Sequence, residues 1–249
     1  MKYFAFFFFL FLGCNTSTYF DGPNSFEDNF DNYSSFSDTL EPDRWSHVQR
    51  TRDENSVSLD DTFFHSPPQS LKFFAARTTD GDSSKSSIVK QEMAFWAGET
   101  IKLSAWYYIQ GEAPLDWLFL LDLEERTSIG AGPGLRLALV NNQLRVEYKF
   151  DEKDLLQNEK SEVDFPRDEW VEIVWEIELS TAHDADLRLY QNGVLLINAK
   201  NKRTLPQDLL YFQQGTKGMF SSVEFGITSN SASNHLTLWV DDIFVETID

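Results

Sequence analysis

The chain is short of cysteine, of basic residues and of helical periodicity, and each shortage closes off a class of protein. Its one cysteine, Cys14, has no partner for an internal disulfide, so packing alone has to hold the fold. Lys and Arg number 21 against 40 Asp and Glu, a formal net charge of −19. That balance excludes a nucleic-acid partner, because gripping a phosphate backbone depends on Lys and Arg to neutralise it. Screening over about 10 Å at 0.1 M salt still allows a local basic cleft to act. The 4 histidines, His47, His65, His183 and His235, show no metal-ligand spacing. No apolar run reaches the roughly 20 residues of a membrane-spanning helix.

What is plentiful is material for a core, with 41% hydrophobic and 15% aromatic residues. The apolar period is two. Ile101, Leu103, Ala105, Tyr107 and Ile109 share one face of Thr100–Ile109, with Lys102, Trp106 and Tyr108 on the other. Leu135, Leu137 and Leu139 alternate up to a tight turn at Asn141-Asn142, and Leu144, Val146 and Tyr148 alternate on the return. Val171 to Leu179 forms another long strand, and Asn192-Gly193 predicts a type I′ hairpin between Leu187–Tyr190 and Val194–Ile197. Two further strands follow at Val223–Thr228 and Leu236–Val245, and only Pro206–Phe212 suggests a short helical turn. The expected fold is all-β: two packed antiparallel sheets in a jelly-roll sandwich over residues 26–249, a normal size for one domain.

Ahead of it, Met1-Lys2 and the apolar run Phe4–Leu12 have the charged start and h-region length of a secretory leader. Phe11-Leu12-Gly13-Cys14 resembles the bacterial lipobox, which implies cleavage after residue 13 and a lipid on Cys14. Residues 14–25 are then a polar, turn-rich tether. The resemblance implies a lipoprotein exported to the bacterial cell envelope, at the outer membrane. An ordinary leader cleaved nearby is the alternative.

Phe64-His65-Ser66-Pro67-Pro68-Gln69-Ser70-Leu71-Lys72-Phe73 is similar to a strand pair of extracellular carbohydrate-binding sandwiches. Trp170-Val171-Glu172-Ile173-Val174-Trp175, the Asn192-Gly193 hairpin and Val240-Asp241-Asp242-Ile243 resemble concanavalin A-like lectin domains. In order, Ile88 to Ile248 looks most like the heparin-lyase-like polysaccharide lyases. That resemblance implies an active cleft begun by an Arg-x-Glu strand, here Lys90-Gln91-Glu92. Asp122 and Glu124 stand where it implies glutamine and histidine, and Thr228 replaces the tyrosine of its Gly-Ile-Tyr strand. Two carboxylates in those places would repel a uronate.

Binding asks for less machinery: aromatic rings for the apolar faces of sugars and polar groups for their hydroxyls. Lys90, Glu92, Lys102, Trp106, Tyr108, Asp122, Glu124, Arg145 and Lys149 are the candidates, expected to line one concave sheet. Asp122 and Glu124 as a hydrolytic carboxylate pair are a weaker alternative. Asp241-Asp242 is a candidate for a structural calcium ion, with paired acids capping a strand end as the alternative; no cofactor is required. The expected partner is a polysaccharide, passed on to glycan-processing or transport proteins. A lyase with a divergent site, using Tyr108 or Tyr148 as base, and an adhesive lipoprotein without a glycan ligand are the other readings.

Overall fold

The structure is a computed structural model that describes residues 22–78, 82–113, 115–125, 132–150, 152–158, 162–206, 218–230 and 234–248. The leader, Cys14 and most of the tether lie outside the described residues, as does all but the first residue of Pro206–Phe212. The strands are β1 (Ser25–Asp28), β2 (His47–Arg50), β3 (Ser56–Asp60), β4 (Ser70–Ala75), β5 (Ser84–Lys90), β6 (Phe95–Trp96), β7 (Thr100–Ile109) and β8 (Trp117–Glu124). They continue as β9 (Gly134–Val140), β10 (Gln143–Tyr148), β11 (Trp170–Glu178), β12 (Ala185–Gln191), β13 (Val194–Lys202), β14 (Met219–Phe220), β15 (Ser222–Asn230) and β16 (Leu236–Ile248). The one helical segment among the described residues is a 3-10 turn at Phe36–Leu40.

These strands form an 8-stranded sheet in the order β13-β12-β11-β7-β16-β4-β3, with β1 also paired to β16. A 6-stranded sheet runs β10-β9-β8-β15-β5-β2, and β14 and β6 make a small ribbon. All pairings are antiparallel among the described strands. The chain crosses between the two large sheets from β1 to β2, β2 to β3, β4 to β5, β7 to β8, β10 to β11 and β15 to β16, and by way of the ribbon strands from β5 to β7 and β13 to β15. The result is the all-β jelly-roll sandwich that the alternating pattern predicts.

Both tight turns follow from residue type. Asn141 and Asn142 have φ of 50° and 65°, and Asn192 and Gly193 have 47° and 74°. Two successive left-handed residues match the right-handed strand twist on either side, and Asn and Gly tolerate that conformation best. Between the sheets, the Ile101 to Ile109 face and Val171, Ile173, Trp175 and Ile177 meet Leu135, Leu137, Leu139, Leu121, Leu123 and Phe225, all buried. With the inner faces so filled, two outer faces remain to carry function.

Candidate functional site

The outer face of the 6-stranded sheet is set by a bulge in β8. Phe119 pairs with Ala138 and Leu121 with Leu137, so Leu120 is one residue too many. Leu120 and Leu121 both turn into the core, and the alternation restarts one step out of phase. Trp117 and Phe119 therefore share the outer face with Asp122 and Glu124, although strict alternation from Asp122 would put them inside. Their rings stack with centroids 4.6 Å apart, and the Arg136 guanidinium lies over Phe119 at 3.9 Å.

Past the rings the face is ionic. Register aligns Glu147, Arg136, Asp122, Glu224, Val89 and His47 in a row across all its strands. At about 4.8 Å per strand the row is roughly 24 Å long. Arg136 Nε donates to Asp122 at 2.7 Å, and Lys149 reaches Asp122 at 3.4 Å and also pairs with Glu124. Lys85 pairs with Glu224 at 2.9 Å, Ser87 hydrogen-bonds the same carboxylate, and Arg145 pairs with Glu147.

The two central acids are nearly sealed, Asp122 with 1% and Glu224 with 3% of their surface exposed. Burial would raise the Asp122 carboxyl, but Lys149 and Arg136 outweigh it and hold the group below the usual aspartate value. Glu224 goes the other way: burial and the neighbouring Asp122 charge raise it, against Lys85 and Ser87. Burial and Lys85 together lower His47. The Thr228 hydroxyl stands beside Asp122, yet neither it nor Asp122 Oδ2 closes a well-formed hydrogen bond among the described residues.

Of the expected site residues, this face gathers Asp122, Glu124, Arg145 and Lys149. It does not gather Lys90 or Glu92. The strand ends at Lys90, and Glu92 sits exposed in a turn with φ of 64°. Lys90 points inward over the Phe26 ring at 5.0 Å and donates to the carbonyls of Asp43 and Arg44 at 3.0 and 2.6 Å.

Lys102, Trp106 and Tyr108 are on β7 of the 8-stranded sheet and face the opposite side of the molecule. Their rings are not an open platform. The segment 61–69 folds over them, with His65 stacked on Trp106 at 3.8 Å and Phe63 against Tyr108, Trp239 and Trp170 at 4.4, 4.8 and 5.7 Å. The same segment engages the calcium candidates. Asp241 accepts the backbone N–H groups of His65 and Ser66, and Asp242 meets the His65 ring at 2.8 Å and the Ser66 hydroxyl at 2.7 Å. Burial pushes the Asp241 carboxyl up to about 6. Among the described residues no group of three or more His, Cys, Asp or Glu side chains is placed to hold a metal ion.

Sequence reasoning passed over Trp117, Phe119, Arg136, Lys85, Ser87 and Glu224. Arg136 had a signal, as the polar residue alternating with Leu135 and Leu137. The aromatic pair had none, because a bulge leaves no mark in a hydrophobicity pattern.

No family model and no curated protein sequence matches the chain. Solved structures do match. An endo-β-1,4-glucuronan lyase from the fungus Trichoderma reesei superposes with a TM-score of 0.65 at 14% identity, over 84% of this chain and 93% of that one. The cellulose-induced protein Cip1 gives 0.58 at 16% identity, over 83% and 94%. The alginate lyase Aly36B gives 0.58 at 10% identity, over 92% and 98%, and a variant of that enzyme has been solved with alginate tetrasaccharide. The chain is thus a jelly-roll sandwich of the architecture that these polysaccharide lyases use. At such identities the likeness is one of fold.

Proposed function

We propose that the protein binds a polysaccharide on the outer face of its 6-stranded sheet, as a lipoprotein anchored through Cys14 at the bacterial cell envelope. The observation that carries the reading is the run along β8, from the stacked Trp117 and Phe119 to the buried Asp122 and its cations. Rings at one end take the apolar faces of sugars, and fixed polar groups at the other take their hydroxyls. Structural neighbours that work on glucuronan and alginate support a glycan over other ligands for this architecture.

Binding fits the face better than β-elimination. A lyase needs a free cation for the uronate carboxylate and a base beside the sugar. Here Lys85, Arg136, Arg145 and Lys149 are all paired to carboxylates. The two tyrosines considered as bases are elsewhere: Tyr148 packs against the core, where burial raises it far above its usual value, and Tyr108 is on the other sheet.

The test is to incubate the chain from Asn15 onward with neutral and uronic-acid polysaccharides and follow them by size-exclusion chromatography with ultraviolet detection of unsaturated ends. Co-elution with polymer of unchanged length is expected. Shortened chains with new double bonds would replace binding by a lyase reaction.

A further inference from the structure

We infer that this face selects a glycan without acidic groups, a neutral hexose polymer, rather than the polyuronates its structural neighbours act on. The inference rests on the glycan-binding reading above and adds the ligand's charge to it.

Every cation described on the face already has a carboxylate partner. Lys85 lies 2.9 Å from Glu224, Arg136 2.7 Å from Asp122 and Lys149 3.4 Å from Asp122, while Lys149 also meets Glu124 and Arg145 meets Glu147. An incoming uronate would have to displace one of these partners. At the centre the displaced group is Asp122 or Glu224, both buried, and a buried charge stripped of its partner is strongly destabilising. If it displaced nothing, it would sit beside the carboxylates already on the face, a like-charge contact.

Hydroxyls face no such barrier. Arg145 and Glu147, whose side chains keep 29% and 15% of their surface exposed, retain donors and lone pairs beyond the pair they make. A hydroxyl both donates and accepts and can serve either partner without breaking the pair, whereas a uronate carboxylate only accepts and would face the glutamate's own lone pairs. Trp117, half-buried and stacked on Phe119 at the end of β8, adds an aromatic ring suited to the C–H face of a hexose. At long range the chain's net charge of −19 repels polyanions and is indifferent to neutral polymers.

Isothermal titration calorimetry with the chain from Asn15 tests this, using neutral gluco-oligosaccharides against alginate and glucuronan oligosaccharides at low and high salt. Neutral ligands are expected to bind with an affinity that salt leaves unchanged, and uronate ligands about tenfold more weakly or not at all. Uronates binding more tightly than neutral sugars would overturn the inference and leave the glycan reading in place. Binding of neither class would overturn the glycan reading itself, and the inference with it. Glu147→Gln frees Arg145 at a half-buried position where folding tolerates the change, which a thermal melt verifies. It is expected to raise the uronate-to-neutral affinity ratio about two- to fivefold. An unchanged ratio would show that ion pairing is not what excludes uronates.

Discussion

Trp117 and Phe119 are the residues whose loss should separate binding from folding. Both are half-buried on the outer face, and neither belongs to the core between the sheets. Replacing either with alanine removes one ring of the stacked pair. A glycan should then bind about tenfold more weakly, roughly 1.4 kcal/mol, with little change in the unfolding midpoint. Gly226 is the opposite case, a residue that shapes the site from below. Its φ is 116°, and a Cβ there would lie 2.5 Å from Cε1 of Phe73 in the facing sheet. Gly226→Ala therefore strains the backbone and overpacks the core together. A stability loss of about 2–4 kcal/mol in urea unfolding is expected, with a weakened site as its by-product.

Among the elements, β8 and its neighbour β15 decide the site, and both carry irregularities. The β8 bulge brings aromatic and acidic side chains to one face, and the shift in β15 between Phe225 and Ser229 leaves Thr228 beside Asp122. On the other sheet the end of β3 is tied down through Asp60, which accepts bonds from Thr62 and from Trp239 Nε1 at 2.9 Å. Burial alone would raise its carboxyl; those bonds and Lys72 instead bring it down to about 2. A carboxyl depressed on folding stabilises the native state above its unfolded value near 3.8 and loses that contribution as pH falls through about 2. Urea midpoints measured from pH 5 down to pH 2 should therefore fall less in Asp60→Asn than in the parent chain. An identical acid limb would mean that Asp60 is not the tether.

At the scale of the whole molecule, the chain carries a net charge of −19, and the proposed anchor would place attachment at the N-terminus. If Cys14 carries the lipid, the full chain made in a bacterial host should partition into detergent and gain the mass of its acyl groups. Cys14→Ser should stay in the aqueous phase at its unlipidated mass. Detergent partition that persists in the serine variant would point to a retained leader.

The all-β class, the long strands and both asparagine turns were legible in the residues, because alternation and left-handed turn chemistry are local. That Asp122 and Glu124 share one face of a strand was legible too, as neighbours two apart. Which sheet each strand joins was not legible: β7 and β8 are consecutive, yet they present Trp106 and Asp122 on opposite sides of the sandwich. Pairing depends on contacts far apart in sequence, and the bulge at Leu120 reverses a face through a single extra residue. Sequence alone determined a packed β-sandwich with an acidic surface and a candidate lipid anchor. Tertiary structure alone decided that Glu224 meets Asp122, that Phe63 and His65 cover Trp106 and Tyr108, and that each described cation of the candidate face is already paired.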